Sequence, residues 1–118
     1  MRDFRKYDIW IDSTQLVQDI YKLVADFPSN KKYSLTSQIT RSAISIPSNI
    51  AEGASRNSEK YFARFLEISL GSVFELETQV RISFGLKYIS ENKFDVIIDT
   101  CISLQKRIYS LRKKVINN

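Results

Sequence analysis

Basic side chains recur along the last helical segment of the chain at a spacing suited to binding phosphate groups. Lys106 and Lys113 are seven residues apart, as are Arg107 and Lys114, so each pair falls on one line along a helix. No acid follows Asp99. Such an array neutralises phosphates and releases counterions, which makes binding salt-sensitive and poor in sequence discrimination. The candidate nucleic-acid contacts are Lys106, Arg107, Arg112, Lys113 and Lys114, with Arg2, Arg5 and Lys6 as further candidates.

The overall charge agrees with a polyanionic partner but does not require one. The chain has a formal net charge of +5, and its basic excess is concentrated after residue 99. Basic residues on the outer face of a bundle helix are also the ordinary solvated side of such a helix. The nucleic-acid interpretation is therefore one hypothesis among several.

The residue types needed for catalysis are largely missing. The chain has no histidine, which removes the commonest general base and the commonest metal ligand. Glu67, Glu75 and Glu77 lie on one predicted helix, but their spacing does not form a ligand cluster. Glu52 and Glu75 are candidates for a magnesium-dependent nuclease site only in the loosest sense. We therefore expect no enzyme activity, no metal, no cofactor and no small-molecule substrate, and Cys101 is expected to be a small buried side chain.

The segment SIPSNIAEGASR, residues 45–56, contains the residue types of an active site but follows the pattern of a structural joint. Pro47 lacks a backbone N–H and its ring crowds the preceding turn, so it predicts a bend in the helix, or a break near Ile46. The apolar stripe continues through the proline, which favours a bend. Gly53 is expected to relax the approach to the following turn. The residues assigned to this joint are Pro47, Asn49, Glu52, Gly53 and Arg56. An exposed Glu52 can pair with Arg56 one turn later, or with Lys60 or Arg64 across the hairpin. If Asn49 and Glu52 are instead buried, they should form a satisfied polar network that fixes the helix register.

Four amphipathic patterns predict four helices. The first is expected to begin at Asp12, with Asp12 and Gln15 as a capping box, and the second and third to span about residues 34–55 and 58–86. Gly71 in the third predicts close approach of a neighbouring backbone. The fourth carries an unbroken heptad seam at Phe94, Ile97, Cys101, Leu104, Ile108, Leu111 and Val115. The links are short, which predicts an all-α, up-down-up-down antiparallel four-helix bundle with a proline-kinked second helix, in one domain over residues 1–118.

A second apolar stripe on the fourth helix predicts self-association. Ile102, Tyr109 and Ile116 recur every seven residues away from the heptad seam, where a monomer would expose them to water. The third helix carries a similar surplus at Tyr61, Phe65, Ile68 and Phe74. We predict that these faces are buried between subunits.

The chain shows no sign of a membrane or export segment. No apolar run reaches the ~18 residues that a membrane span needs, and the start MRDFRKYD does not have the pattern of a signal peptide. We therefore expect a cytoplasmic protein with no membrane partner.

Several segments together resemble one protein family. SLTSQITRSAISIPSNIAEGASR, followed by YFARFLEISLGSVFELETQ, is similar to the four-helix-bundle proteins encoded in intervening sequences of bacterial 23S ribosomal RNA genes. The start MRDFRKYDIW, the Phe27–Pro28 pair and the link KYISENKFD carry the same resemblance. The resemblance implies a four-helix bundle that assembles as a pentameric ring. It also implies a relation to the basic, pentameric accessory variability proteins of diversity-generating retroelements, which bind nucleic acid and a reverse transcriptase.

These observations lead to one preferred function and two alternatives. The preferred function is a non-catalytic, oligomeric nucleic-acid-binding protein whose ligand is structured RNA. The first alternative is a protein-interaction scaffold, a ring that recruits a partner such as a polymerase or reverse transcriptase through an acidic surface of that partner. The second is a metal-dependent nuclease that uses Glu52 and Glu75.

Overall fold

The chain folds into four long helices joined by short links. The computed structural model describes residues 2–28 and 32–117, with the backbone alone at positions 32 and 33. A short 3₁₀ turn at Phe4–Lys6 precedes α1 (Asp8–Val24), α2 (Lys32–Ala54), α3 (Glu59–Gly85) and α4 (Glu91–Ile116). Ser58 and Ser90 cap the N-termini of α3 and α4, because their hydroxyls accept hydrogen bonds from the backbone N–H groups of Tyr61 and Lys93.

The helices pack as an up-down-up-down bundle, as the sequence pattern predicts. The largest contacts are between α2 and α3 and between α3 and α4, those between α1 and α2 are smaller, and those between α1 and α4 are the smallest. The bundle measures 47 × 22 × 19 Å. In this topology the start of α1, the end of α2, the start of α3 and the end of α4 share one end of the molecule.

The core consists of the apolar stripes predicted from the sequence. On α4, the seam residues Ile97, Cys101, Leu104, Ile108 and Val115 are buried, and Phe94 and Leu111 pack against them half-buried. The stripes of the other three helices meet the α4 seam in one continuous cluster. Burial of these side chains supplies the main favourable term in folding.

The predicted start of α1 is wrong by four residues. The helix begins at Asp8, after an N-cap residue, Tyr7, whose side chain makes no capping hydrogen bond. Asp12 lies inside the helix and forms an ion pair with Arg107 at 2.8 Å. Tertiary packing explains the earlier start, because Ile9 is buried and lies one turn before any start at Asp12. The N-terminal segment packs on the bundle as well, because Phe4, Tyr7 and Trp10 lie against the core.

Pro47 lies inside one uninterrupted helix, so the alternative of a break near Ile46 is wrong. The proline side chain is buried, and α2 continues for seven residues to Ala54. The carbonyl of Ile46 accepts a hydrogen bond from the hydroxyl of Ser69 on α3 at 2.9 Å. A bend at Pro47 stays a prediction.

The close helix contact predicted at Gly71 occurs at Gly53. Gly53 is buried where α2 meets α3, and a Cβ atom there would lie 2.7 Å from the Cβ atom of Phe65 and 3.1 Å from a ring carbon of Phe62. At Gly71, no atom of another element in the described part of the chain lies within 4 Å of the place where a Cβ atom would be. Gly53 therefore permits the close helix contact that the sequence pattern assigned to Gly71.

A polar seam accompanies this contact along the outer side of α2 and α3. The side-chain amide of Asn49 donates to the carbonyl and the hydroxyl oxygen of Ser45, at 2.8 and 2.9 Å. The hydroxyls of Ser45 and Ser72 lie 2.8 Å apart, and Ser42 donates to a carboxylate oxygen of Glu75 at 2.5 Å. Asn49 thus has the partners that a half-buried amide needs.

Glu52 lies outside this seam. Its side chain is exposed and pairs with Arg56 one turn later, at 3.2 Å, as the sequence spacing predicts. An exposed pair of this kind contributes only a few tenths of a kcal/mol. The joint is therefore held by packing at Gly53 and Pro47 and by the Asn49 hydrogen bonds more than by charge.

Candidate nucleic-acid interface

The bundle topology brings basic residues from three distant parts of the sequence to one end of the molecule. We call this the basic end; it is formed by residues 2–8, 52–64 and 109–117. Arg2 joins two of these parts, because its guanidinium donates to the carbonyl oxygen of Arg56 at 3.3 Å and forms an ion pair with Glu59. The backbone N–H of Arg2 also donates to the carbonyl of Ala54 at 3.3 Å.

Arg112 joins the third part to the start of α3. Its guanidinium donates to the carbonyl oxygen of Ala63 at 3.3 Å and to a carboxylate oxygen of Glu67 at 2.9 Å. A groove of about 430 Å³ lies beside this contact. Its lining residues are Glu59, Lys60, Ala63, Arg64, Glu67, Arg112, Val115 and Ile116.

The predicted phosphate contacts differ in what they already bind within the chain. Lys113 and Lys114 are exposed in the last turn of α4, and no ion pair within residues 2–28 and 32–117 involves either of them. Arg2 and Arg112 are partly covered and hold elements of the fold together. Lys113 and Lys114 are thus available to an outside anion, as are the exposed Lys6 and Lys60 of the same end.

Lys106 and Arg107 lie on α4 just before the part of the helix that forms the basic end. Each is about ten residues, or roughly 15 Å, before the end of α4. Lys106 is exposed on the outer surface. Arg107 faces α1, where it pairs with Asp12 and donates to the hydroxyl of Ser103 at 3.1 Å. The structure therefore separates Arg107 from the other predicted contacts.

Three arginines of the basic end lie over phenylalanine rings. The guanidinium carbon of Arg2 is 4.3 Å from the ring centre of Phe62, and that of Arg5 is 4.5 Å from the ring centre of Phe4. The corresponding distance from Arg56 to Phe65 is 5.1 Å. Cation–π contacts of this kind stabilise both partners by about 0.5–1 kcal/mol when exposed.

The sequence reasoning missed Arg56, Lys60 and Arg64 as members of the basic surface. Arg56 was assigned to the structural joint, and the two residues on α3 were considered only as ion-pair partners. The predicted topology could have identified these three residues, because the start of α3 must adjoin the end of α4 in an up-down bundle.

The residues predicted for subunit contacts fall into two groups. Tyr61, Ile68, Tyr109 and Ile116 are between 38% and 57% exposed. Ile102 and Phe65 are half-buried, with Ile102 packed against the core and Phe65 lying beneath Arg56. Phe74, on the side of α3 that faces α4, is 53% exposed. Self-association through these residues stays a prediction.

The structure gives no indication of a catalytic or metal site within its described residues. In residues 2–28 and 32–117, no three acids or cysteines come close enough together to hold a metal ion. Cys101 is buried, and this burial raises the pKa of its thiol to about 12. Glu75 and Glu77 accept hydrogen bonds from Ser42 and Gln105.

Within residues 2–28 and 32–117, none of the helices combines the length and the apolar character required to cross a membrane.

Comparison with known proteins agrees with the bundle and its connections. The family model for the 23S rRNA-intervening sequence protein matches residues 5–110. This chain belongs to the 23S rRNA-intervening sequence protein family. A search of curated proteins gives no match. Among solved structures, this chain is similar to that of a protein with unknown function from the S23 ribosomal protein family of Bacteroides thetaiotaomicron VPI-5482.

That structure shares the fold with this intervening-sequence protein. The sequences are 24% identical, the TM-score is 0.83, and the match covers 89% of this chain and 98% of the other. At this level of identity the likeness establishes the four-helix arrangement and no more.

Proposed function

We propose that this protein is a non-catalytic nucleic-acid-binding protein that acts as a ring-shaped oligomer, with structured RNA as its ligand. The observation that carries the proposal is the basic end. There, Lys113 and Lys114 share one end of the bundle with the α2–α3 turn and the N-terminal segment, which carry further basic groups (Arg5, Lys6, Arg56, Lys60 and Arg64). Glu59 of this end and Glu67, the next acid along α3, already pair with Arg2 and Arg112. The unpaired lysines therefore remain for phosphates.

The distribution of exposed apolar residues supports the ring. Ser45–Ser72 and Gln105–Glu77 hydrogen bonds mark the α2 and α4 sides of α3. Helical spacing puts Tyr61 and Ile68 on the α2 side and Phe74 on the α4 side, next to the Tyr109 and Ile116 stripe. One subunit thus carries two different apolar patches, one on each side of α3. If the first patch of one copy contacts the second patch of the next copy, the contact is heterologous, and repeating it around a closed rotation gives a ring.

A gel-shift titration with structured RNA at two salt concentrations tests the binding. The variants are Lys113→Glu combined with Lys114→Glu, and the matched control is Lys22→Glu, an exposed lysine near the opposite end of α1. We expect the wild-type protein and the control to bind at low salt and the double variant to bind much more weakly. Absence of binding by the wild-type protein at low salt, or equal binding by the double variant, contradicts the proposal.

A second function is favoured by a groove between α1 and α4. The groove has a volume of about 430 Å³ and contains Leu23, Val96 and Ile97, of which Val96 is 63% exposed. An apolar groove of this kind suits a protein partner, as a recruiting scaffold requires. Pull-down from nuclease-treated lysate separates the two functions: partners that survive the nuclease favour the scaffold, and partners lost with the RNA favour nucleic-acid binding.

A further inference from the structure

Two arginines of the basic end lie over phenylalanine rings and still expose much of their side chains to solvent. The guanidinium carbons of Arg5 and Arg56 are 4.5 and 5.1 Å from the ring centres of Phe4 and Phe65, and the two side chains are 69% and 47% exposed. A guanidinium is planar and delocalised, so a second flat group can stack on its free face. Each arginine therefore presents a ready stacking surface.

Each of these two arginines already has an acidic neighbour. Arg5 forms an ion pair with Asp3 at 3.2 Å, and Arg56 forms one with Glu52 at 3.2 Å. Backbone and side-chain hydrogen bonds from Arg5 lower the pKa of Asp3, so the carboxylate stays ionised. Arg5 and Arg56 thus have less charge to offer a phosphate than Lys113 and Lys114 do, while their flat faces stay accessible.

The surrounding contacts keep both stacks in place. The ring of Phe4 packs edge-on against Trp10 at 5.0 Å between ring centres. The Phe65 ring sits on α3 where Gly53 lets the two helices meet, and the Arg56 carbonyl is bound by Arg2. Such preorganisation reduces the entropy lost when a ligand stacks.

We propose that the basic end binds unpaired nucleotides, with bases stacked on the free faces of Arg5 and Arg56 and phosphates neutralised by Lys113 and Lys114. This inference rests on the proposed function and specifies its ligand. A duplex hides the faces of its bases inside its own stack, whereas single strands and loops expose them. The protein therefore discriminates between single-stranded and double-stranded nucleic acid, and in a structured RNA it binds the loops.

Fluorescence anisotropy with labelled oligonucleotides tests this specificity on the full-length protein. The probes are a single-stranded oligouridine of about 12 nucleotides and an RNA duplex of about the same length. The test variant combines Arg5→Lys with Arg56→Lys, which preserves charge and removes the planar group. The matched control is Arg81→Lys, since Arg81 also lies over a ring, that of Phe94 at 5.8 Å, but outside the basic end.

We expect the wild-type protein to bind the single strand more tightly than the duplex. The double variant should lose about tenfold in affinity for the single strand and change little for the duplex, and the control should resemble the wild-type protein with both probes. A second variant, Phe4→Leu, which keeps an apolar side chain under Arg5, should also weaken single-strand binding.

Tighter binding of the duplex by the wild-type protein overturns the inference. So does an equal effect of the double variant on both probes, or no effect on either, with nucleic-acid binding itself intact. Failure of the wild-type protein to bind either probe at low salt overturns the proposed function as well. Loss of binding only in the Lys113 and Lys114 variant, with no effect of the arginine variants, leaves the proposed function standing and removes the stacking.

Discussion

The two ends of the bundle use aromatic rings in different ways. At the opposite end, formed by residues 22–28 and 81–97, rings pack on rings: Phe27 and Tyr88 lie 5.3 Å apart, and Phe84 and Phe94 stack at 4.1 Å. At the basic end, three phenylalanine rings lie beneath arginines at 4.3 to 5.1 Å, whereas the described residues of the opposite end contain one longer contact of this kind, Arg81 over Phe94 at 5.8 Å. Arginine–ring contacts are thus more frequent and closer at the basic end, although ring–ring packing occurs at both ends. Stability and binding should therefore respond to mutation at different ends.

Removing a ring at the opposite end should have the largest effect on stability. Phe27 is only 4% exposed, and Phe27→Ala should lower the free energy of unfolding by about 3–5 kcal/mol. Urea denaturation measures the change. RNA affinity of the folded fraction should be unchanged, because Phe27 is remote from the basic end. A loss of RNA affinity as large as that of the Lys113 and Lys114 variant, measured at a temperature where Phe27→Ala is folded, would contradict the separation of stability and binding between the two ends.

Reversing charge at the basic end should have the largest effect on binding. Lys113→Glu with Lys114→Glu should weaken RNA binding by about a hundredfold at low salt, because two phosphate contacts become repulsive. The neutral pair Lys113→Gln and Lys114→Gln should reduce the slope of log K against log salt by about 2. An unchanged slope would mean that these lysines contact no phosphate. Both variants should unfold at nearly the wild-type urea concentration, since the two side chains are exposed.

The two glycines offer a matched pair for the packing that supports the basic end. Gly53→Ala should destabilise the protein by about 1–3 kcal/mol, because its new methyl group would collide with Phe65 and Phe62. Gly71→Ala, in open space on α3, should stabilise the monomer by up to about 1 kcal/mol through helix propensity. Thermal unfolding measures both. Equal effects would contradict the close contact at Gly53, and a loss of assembly in Gly71→Ala would instead place that glycine in a subunit contact.

Glu77 should give the smallest effect, and one that depends on pH. Hydrogen bonds from Gln105 and Arg81 lower the pKa of its carboxyl below the ordinary 4.5. The ionised form is therefore favoured by folding, and its contribution is present above pH 4.5 and disappears as the pH falls through the lowered pKa. Glu77→Gln should be less stable than the wild-type protein by under about 1 kcal/mol at pH 7, and the difference should vanish at acid pH. A difference that is constant between pH 7 and pH 3 would contradict this.

The parts of the fold that the sequence predicts best are those governed by one helix alone. Every seam residue of α4 is buried or packed on the core, because a period close to 3.6 leaves only one face for the core. The start of α1 was mispredicted because the capping pattern at Asp12 is local, whereas the burial of Ile9 depends on other helices. The close contact was predicted at Gly71 and not at Gly53 for the same reason. The sequence around a glycine in a helix does not reveal which residue of another helix packs against it.

The candidate site depended more on topology than on motif. Lys113 and Lys114 were apparent from charge alone, but Arg56, Lys60 and Arg64 join them only because α3 starts where α4 ends. The contacts of Arg5 and Arg56 with rings could not be predicted, because they depend on side-chain conformations, and Phe65 lies on another segment than Arg56. Arg107 is a residue that the spacing assigned to the basic surface and the topology removes from it. Its seven-residue spacing from Lys114 predicted a position on the outer surface of α4, but its guanidinium faces α1 and pairs with Asp12.

Hydrogen–deuterium exchange with and without single-stranded RNA tests the central claim most directly, because it compares both ends in one experiment. Binding should slow exchange in the basic end, residues 2–8, 52–64 and 109–117, and leave exchange unchanged in the opposite end, residues 22–28 and 81–97. Protection confined to residues 22–28 and 81–97, or to the groove between α1 and α4, would contradict the central claim.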